Sequence, residues 1–410
     1  MTPLIVLACV FVLIAVRRVG RFRLQIWQIM LLGAVAVLLA GSITPVAALR
    51  AVNLDVMVFL FGMFVVGQAM EESGYLSYVS YRLFRRARTV DQLLLSVLFV
   101  MGLLAALLMN DTIAIIGTPV VLALAKSAGR RPQMMLLALA SAITIGSVAS
   151  PIGNPQNLLV AIHGEVQNPF VTFGSHLLAP TVLCLLAAFG VLRLLYRSEC
   201  DGVRMTQVCP VLADPSLARL CRVSLVVLAV MLLVKVSLTF LGVVVDFRLT
   251  YIALGTALPV LLLSPRRFET VRRIDWTTLV FFAAMFVLME SVWLSGYLQA
   301  AIDRSGLELA SPGVIMTLSV LASQLLSNVP LTALYLPLLD GLGAGTAAYM
   351  ALAAGATIAG TFTILGAASN VIIIQNAERR CGESLSFAEF ARTGVPLTAI
   401  CVGIYWLFLV

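Results

Sequence analysis

The chain has 410 residues, of which 61% are hydrophobic and only 11% charged, against about a quarter charged in an ordinary soluble domain. That balance excludes a water-soluble globular fold and a soluble catalytic domain, and it describes an all-α polytopic membrane protein whose surroundings are the lipid bilayer. The net charge of +8 comes from arginine clusters between apolar runs, the pattern of cytoplasmic loops rather than of a nucleic-acid surface, so no nucleic-acid partner is expected.

The apolar runs fall at 4–16, 26–41, 56–76, 93–109, 113–125, 133–163, 172–196, 219–245, 249–263, 276–294, 313–339, 346–376 and 388–409. A bilayer-crossing helix needs roughly 20 such residues. The first run is followed, not preceded, by Arg17, Arg18, Arg21 and Arg23, unlike a cleaved signal peptide, and is expected to be retained. Runs 93–109 and 113–125 are separated only by Asn110, Asp111 and Thr112. That is too little for a solvated loop between two crossings and predicts a re-entrant hairpin over 92–126. The run 133–163 is too long for one ordinary span and is interrupted by Ser150-Pro151-Ile152-Gly153-Asn154-Pro155, which predicts a broken helix.

The two halves are related. Met63–Leu76 aligns without gaps to Met285–Leu298 with seven identities in fourteen positions. Ala138–Glu165 aligns with Ala351–Glu378, matching Thr144 with Thr357, Gly153 with Gly366 and Asn157 with Asn370. Asn110 and Pro119 recur as Asn328 and Pro337, and Pro45 and Asp55 as Pro265 and Asp275. The expected division is a first repeat over 1–200, a cytoplasmic linker over 201–218 and a second repeat over 219–410, with its hairpin at 312–340 and its broken helix at 346–376. Five crossings plus one hairpin per half is an odd number, so the second copy enters the bilayer upside down. On that topology 23 of the 27 basic residues face one side, which places that side in the cytoplasm of a plasma (bacterial inner) membrane and both termini outside.

Unwound backbone within a bilayer is tolerated only where it is packed in protein or lines a wet cavity. Four interruptions lie at matched positions: Asn110-Asp111-Thr112, Ser147 to Asn157, Ser327-Asn328, and Thr361 to Asn370. Each leaves carbonyls at one helix end and amides at another, so together they can hold a cation and an anion near the midplane. Asp111 has no acidic partner in the repeat, since Val329 takes its place. Two readings stand: an ion-coupling carboxylate, or a helix cap for the second arm of the hairpin. Lys235 and Glu290 also fall within spans and are candidates for a gating or structural ion pair.

The motifs Asn110 to Pro119 (NDTIAIIGTP), Ser150 to Leu159 (SPIGNPQNLL), Ser327 to Pro337 (SNVPLTALYLP) and Thr363 to Ile373 (TILGAASNVII) resemble the ion transporter superfamily. The likeness is to arsenical-pump membrane proteins and related anion permeases with a citrate-transporter-like domain. The resemblance implies two hairpins and two broken helices around one site, a homodimer, and elevator-like movement. It implies substrate and ion ligands at Asn110, Asp111, Thr112, Ser150, Gly153, Asn154 and Asn157, and at Ser327, Asn328, Thr332, Thr363, Gly366, Ser369 and Asn370, with Na+ candidates at Asn110, Asp111 and Asn157. Met109-Asn110-Asp111-Thr112 and Ser327-Asn328-Val329-Pro330 depart from the Ser-Asn-Thr tips of sodium-dicarboxylate symporters and weaken that assignment.

The seven cysteines show no CxxC pair, so neither a disulfide framework nor a zinc site is indicated. His163 and His176 read as surface residues. No P-loop or HExxH is present; no enzyme activity and no cofactor are expected, and energy must come from an H+ or Na+ gradient or from a separate ATPase subunit. The functional expectation is a secondary transporter of a small anion or oxyanion, with arsenite or antimonite efflux as one case. The alternatives are a sodium/proton antiporter of the same fold, and a channel or non-transporting scaffold.

Overall fold

The structure is a computed structural model. It describes residues 2–16, 18–19, 22–23, 25–84, 87, 89–164, 166, 168–200, 212–240, 249–297, 308–326, 328–381 and 385–410. Apart from a two-residue antiparallel pair, Arg18–Val19 with Phe22–Arg23, its elements are helices. The first half holds α1 (Thr2–Val16), α2 (Ile26–Leu39), α3 (Pro45–Ala51), α4 (Leu54–Ser73), α5 (Tyr75–Phe84), α6 (Val90–Leu108), α7 (Asn110–Ser127), α8 (Pro132–Ser147), α9 (Pro155–His163), α10 (Pro169–Leu195) and α11 (Arg197–Cys200). The second holds α12 (Pro215–Phe240), α13 (Leu249–Leu263), α14 (Arg267–Arg273), α15 (Trp276–Leu294), α16 (Pro312–Leu326), α17 (Asn328–Gly341), α18 (Thr346–Phe362), a 3-10 turn (Ile364–Gly366), α19 (Ala368–Cys381) and α20 (Phe387–Leu409). Among the described residues six helices, α4, α6, α10, α12, α15 and α20, are long and apolar enough to cross a membrane, and five shorter apolar helices accompany them.

Local chemistry sets the boundaries. The Asn53 side chain accepts the Val56 N–H and starts α4, and Gly74, at φ 68°, stops it. Only glycine takes that left-handed conformation without a Cβ penalty. Thr44 and Thr89 cap α3 and α6 in the same way, and Ser386 with Glu389 forms a capping box on α20.

Packing follows the sequence repeat. The contact of α6 with α8 returns as α16 with α18; α4 with α13 returns as α15 with α2; α8 with α10 returns as α18 with α20; and α7 with α19 returns as α17 with α9. The last helices of the halves, α10 and α20, pack on each other. Two groups emerge. A frame group contains α1 to α4 and α12 to α15. A motif group contains the hairpins α6–α7 and α16–α17, the broken helices α8–α9 and α18–α19, and α10 and α20. They meet along a seam where α4 touches α7 and α9, and α15 touches α17.

The helix ends gather at two poles. At one, Arg193 pairs with Asp91 (2.9 Å), Thr270 donates to Glu72 (2.9 Å), and Asp214 accepts the backbone N–H groups of Ser216 and Leu217 (3.0 and 3.1 Å). Those bonds, led by Leu217 N–H, hold the Asp214 carboxyl below its ordinary range. Its support of the α12 start is therefore complete above the ordinary carboxylate pKa and fades as pH falls through the lowered value. The clusters at Lys126, Arg130 and Arg131 and at Arg266 to Arg273 also lie at this basic pole. At the other pole Asn53 meets His163 (2.8 Å) and Thr250 meets Asp55 (3.0 Å).

The α6–α8 crossing has no side chain between its backbones. A Cβ on Gly146 would lie 2.3 Å from the Gly102 Cα, the close small-residue approach common between helices in membranes. Gly146→Ala is expected to force the helices apart and cost about 1–3 kcal/mol, read as a lower unfolding temperature in detergent. A melting curve matching wild type would contradict this packing.

Candidate functional site

The first hairpin turns at Met109 alone, a buried residue held at φ 71°, ψ 141°. A non-glycine residue there carries backbone strain. It is held in place from outside: the Asn110 N–H donates to the Gly153 carbonyl at 2.9 Å, joining the tip to the break in α8–α9. Thr112 packs against α4, where a Cβ on Gly67 would sit 2.8 Å from its methyl group. Asp111 is half-buried in the first turn of α7. Met109, not Asp111, occupies the capping position and makes no side-chain cap, so the capping reading of Asp111 is not what the structure contains.

Each break is clamped by an asparagine. The Asn157 Nδ2 donates to the carbonyls of Ser147, Val148 and Ser150 at 3.0–3.1 Å. Its counterpart Asn370 donates to the carbonyls of Gly360 and Thr363 at 2.7 and 3.3 Å. Gly153 and Gly366 permit the tight path, since a Cβ on either would lie 2.3 or 2.4 Å from a carbonyl oxygen of the preceding arm. Asn154 starts α9 by accepting the Asn157 N–H at 2.8 Å, and the Ser150 hydroxyl accepts the Ile152 N–H at 3.3 Å.

Beyond the clamps the two breaks differ. In the first, Thr357 reaches across from α18 and saturates the group. Its hydroxyl accepts from Asn154 Nδ2 and Gln156 Nε2 (both 3.2 Å) and donates to Asn157 Oδ1 (3.1 Å), while Asn154 also donates to Ser147 Oγ (3.0 Å). In the second, Ala367 and Ser369 stand where Asn154 and Gln156 stand in the first, so the equivalent of Thr357, Thr144, is left without its partners. Among the described residues, the Thr144 and Ser369 hydroxyls and the Oδ1 atoms of Asn328 and Asn370 are buried with no hydrogen-bond partner. A Cβ on Gly360 would lie 3.1 Å from the Thr144 methyl and 3.7 Å from the Asn328 amide nitrogen, and Asn370 Nδ2 donates to the Gly360 carbonyl, which places Thr144, Asn328 and Asn370 around Gly360. At the first tip, Asn110 Oδ1 is likewise orphaned. Buried oxygens without donors are costly.

Thr332 donates to the Asn328 carbonyl (2.9 Å) and Thr363 to Gln324 Oε1 (2.8 Å); both hydroxyl protons are already placed. Ser327 lies outside the described residues. Lys235 lies on α12, which packs on α4 and α13, and its side chain is outside the described set. Glu290 sits a single turn from the end of α15 rather than at mid-span, and lines a cavity of about 160 Å³ with Trp293, His163, Ala333, Pro337 and Asp340. The cavity lies along the C-terminal part of α17, from Ala333 to Asp340. His163 is exposed, as expected of a surface residue, and it also lines this cavity and bonds Asn53. Sequence reasoning did not single out Thr144, Thr357, Gln156 or Gln324. The matched Thr144 and Thr357 within apolar arms were the available signal. Among the described residues no cluster of three metal-ligating side chains forms.

Residues 10–349 match the citrate transporter family. The chain belongs to that family. This citrate-transporter-family protein is 28% identical over 418 residues to an uncharacterized transporter of Mycobacterium tuberculosis, covering 97% of this chain and 95% of the relative. It is 26% identical over 439 residues to the P protein of Homo sapiens, covering 85% of this chain but 52% of that protein. Among solved structures, the Alcanivorax borkumensis YdaH transporter, described as having an unusual topology, superposes with a TM-score of 0.61 at 19% identity, covering 100% of this chain and 96% of that one; the likeness is one of fold. The protein is a multi-pass membrane transporter.

Proposed function

We propose that the protein is a secondary active transporter of a small anion or oxyanion, coupled to Na+ or H+. The observation that carries this reading is the convergence of the two hairpin tips and two breaks. α7 packs on α19 and α17 packs on α9, which brings the helix that begins at each tip against the helix that begins at the other half's break, and the N-terminal turn of such a helix offers the positive end of its dipole to an anion. The orphaned oxygens of Thr144, Asn328, Ser369 and Asn370 supply the cation side. Two groups joined by a narrow seam support an elevator-like exchange in which the motif group moves against the frame, and the basic pole supports a cytoplasmic placement of that end. Arsenite or antimonite is one substrate that fits the small oxyanion class. A sodium/proton antiporter is the second reading, favoured by the single half-buried carboxylate Asp111 at the first tip.

Proteoliposome assays decide between them. Counterflow of a labelled anion, selected from a panel containing citrate, arsenite and antimonite, is expected to proceed without net current and to be stimulated by a Na+ or pH gradient. Sodium-driven proton movement in vesicles free of any transported anion would favour the antiporter. Passive flux without counterflow would indicate a channel and overturn the proposal.

A further inference from the structure

At the outer pole one hydrogen bond crosses the seam between the groups, and its chemistry is constrained. Asn53 begins α4 of the frame, and its Oδ1 accepts the Val56 N–H at 2.9 Å. That cap fixes which end of the amide faces His163 at the end of α9: the Nδ2 group, 2.8 Å from Nε2. An NH2 group has only protons to offer, so Nε2 must be the acceptor and the imidazole must be neutral, with its proton on Nδ1. A second proton, on Nε2, would set donor against donor. Turning the amide to present its oxygen would take the cap away from α4.

The surroundings suit a group that exchanges protons with the outer side. His163 lines the cavity together with Glu290 of α15 and Asp340 of α17, so an imidazolium that leaves Asn53 has carboxylates to turn to. Of the other elements around it, α18 contributes Tyr349, whose hydroxyl donates to Asp340 and whose ring lies beside Gly164. Near Asn53, α3 contributes Arg50 and α4 contributes Asp55, which accepts from Thr250.

We propose that His163 is a proton-binding residue that latches the motif group to the frame when neutral and releases it when protonated from the outer side. This goes beyond the transport reading and rests on one part of it, the mobility of the two groups. Spin labels at Leu49→Cys and Leu342→Cys, both exposed and at the outer pole on opposite sides of the seam, report the separation. They would be placed in full-length protein in nanodiscs, with Cys9, Cys200, Cys209 and Cys381 replaced by alanine and the buried Cys184, Cys221 and Cys401 kept.

Electron–electron distance measurements are expected to find a population that shifts to a new separation between pH 8 and pH 5, with its midpoint below the ordinary imidazole value of about 6.5, because the latched state favours the neutral ring. His163→Ala is expected to adopt the released separation at both pH values. Asn53→Asp keeps the helix cap, because aspartate caps as well as asparagine, but offers a carboxylate to the imidazolium. Its pH dependence should reverse, latched at low pH and looser at high. A wild-type distribution that ignores pH while His163→Ala moves overturns the proton latch and leaves the mobile groups standing. Equal pH shifts in wild type and His163→Ala also overturn it. Distributions identical in all three proteins at both pH values overturn the mobility on which it rests.

Discussion

Asp111→Asn is expected to leave the protein folded and able to exchange substrate but unable to accumulate it. The substitution keeps the shape of the side chain in the first turn of α7 and removes its charge, the only carboxylate at either hairpin tip. A charged side chain at membrane depth is expensive to retain and is by default functional. In a thermodynamically coupled carrier a tenfold ion gradient, about 1.4 kcal/mol, supports up to tenfold accumulation for each ion moved. In the variant that ratio should fall to about one, with counterflow surviving. Reconstituted protein given an imposed Na+ or pH gradient and a labelled substrate tests this. Gradient-driven accumulation equal to wild type would remove Asp111 from the coupling machinery.

The second large effect separates the two breaks. Thr357→Val removes a hydroxyl that serves three amide side chains, leaving Asn154, Gln156 and Asn157 with unmet partners in a site where all are buried. At about 0.6–1.7 kcal/mol for each such bond in a membrane protein, the loss is about 2–5 kcal/mol, and Thr357→Ser should recover most of it. The same change at the repeat-related Thr144 is expected to behave oppositely. Its hydroxyl has no partner among the described residues, so Thr144→Val should leave the unfolding temperature unchanged while weakening transport through the loss of an oxygen beside Asn328. Unfolding in detergent and transport in vesicles are the two readouts. Equal destabilisation by both valines would mean that the breaks are not chemically distinct.

The hairpins, the breaks and the repeat were legible in the sequence because each depends on residues close together in the chain. Asn110 to Thr112 between two apolar arms and Ser150 to Pro155 within one are local interruptions, and an interruption in a bilayer-spanning run has few structural solutions. The division of labour between the breaks was not legible in this way. It depends on Thr357, which meets Asn154 and Asn157 from about 200 residues away, and on the small replacement Ala367, which looks innocuous until its counterpart is seen to be Asn154. The choice between the two readings of Asp111 was not legible for another reason: the turn rests on a methionine with a positive φ, tied to the neighbouring break by the bond from Asn110 N–H to Gly153 and not encoded by local propensity. The placement of Glu290 near a helix end follows from where α15 stops, at Leu294, which hydropathy marks only loosely.

The bare backbone crossing of Gly102 and Gly146 bears on how substrate gets in and out. A hairpin that opened like a flap would have to lift α6 away from α8 and break the bond from the Asn110 N–H to Gly153, exposing unpaired backbone at membrane depth. Nothing between those two glycines can stretch to bridge a gap. The first hairpin and α8 are therefore laid against each other like masonry, with no side chain at this crossing to serve as a hinge.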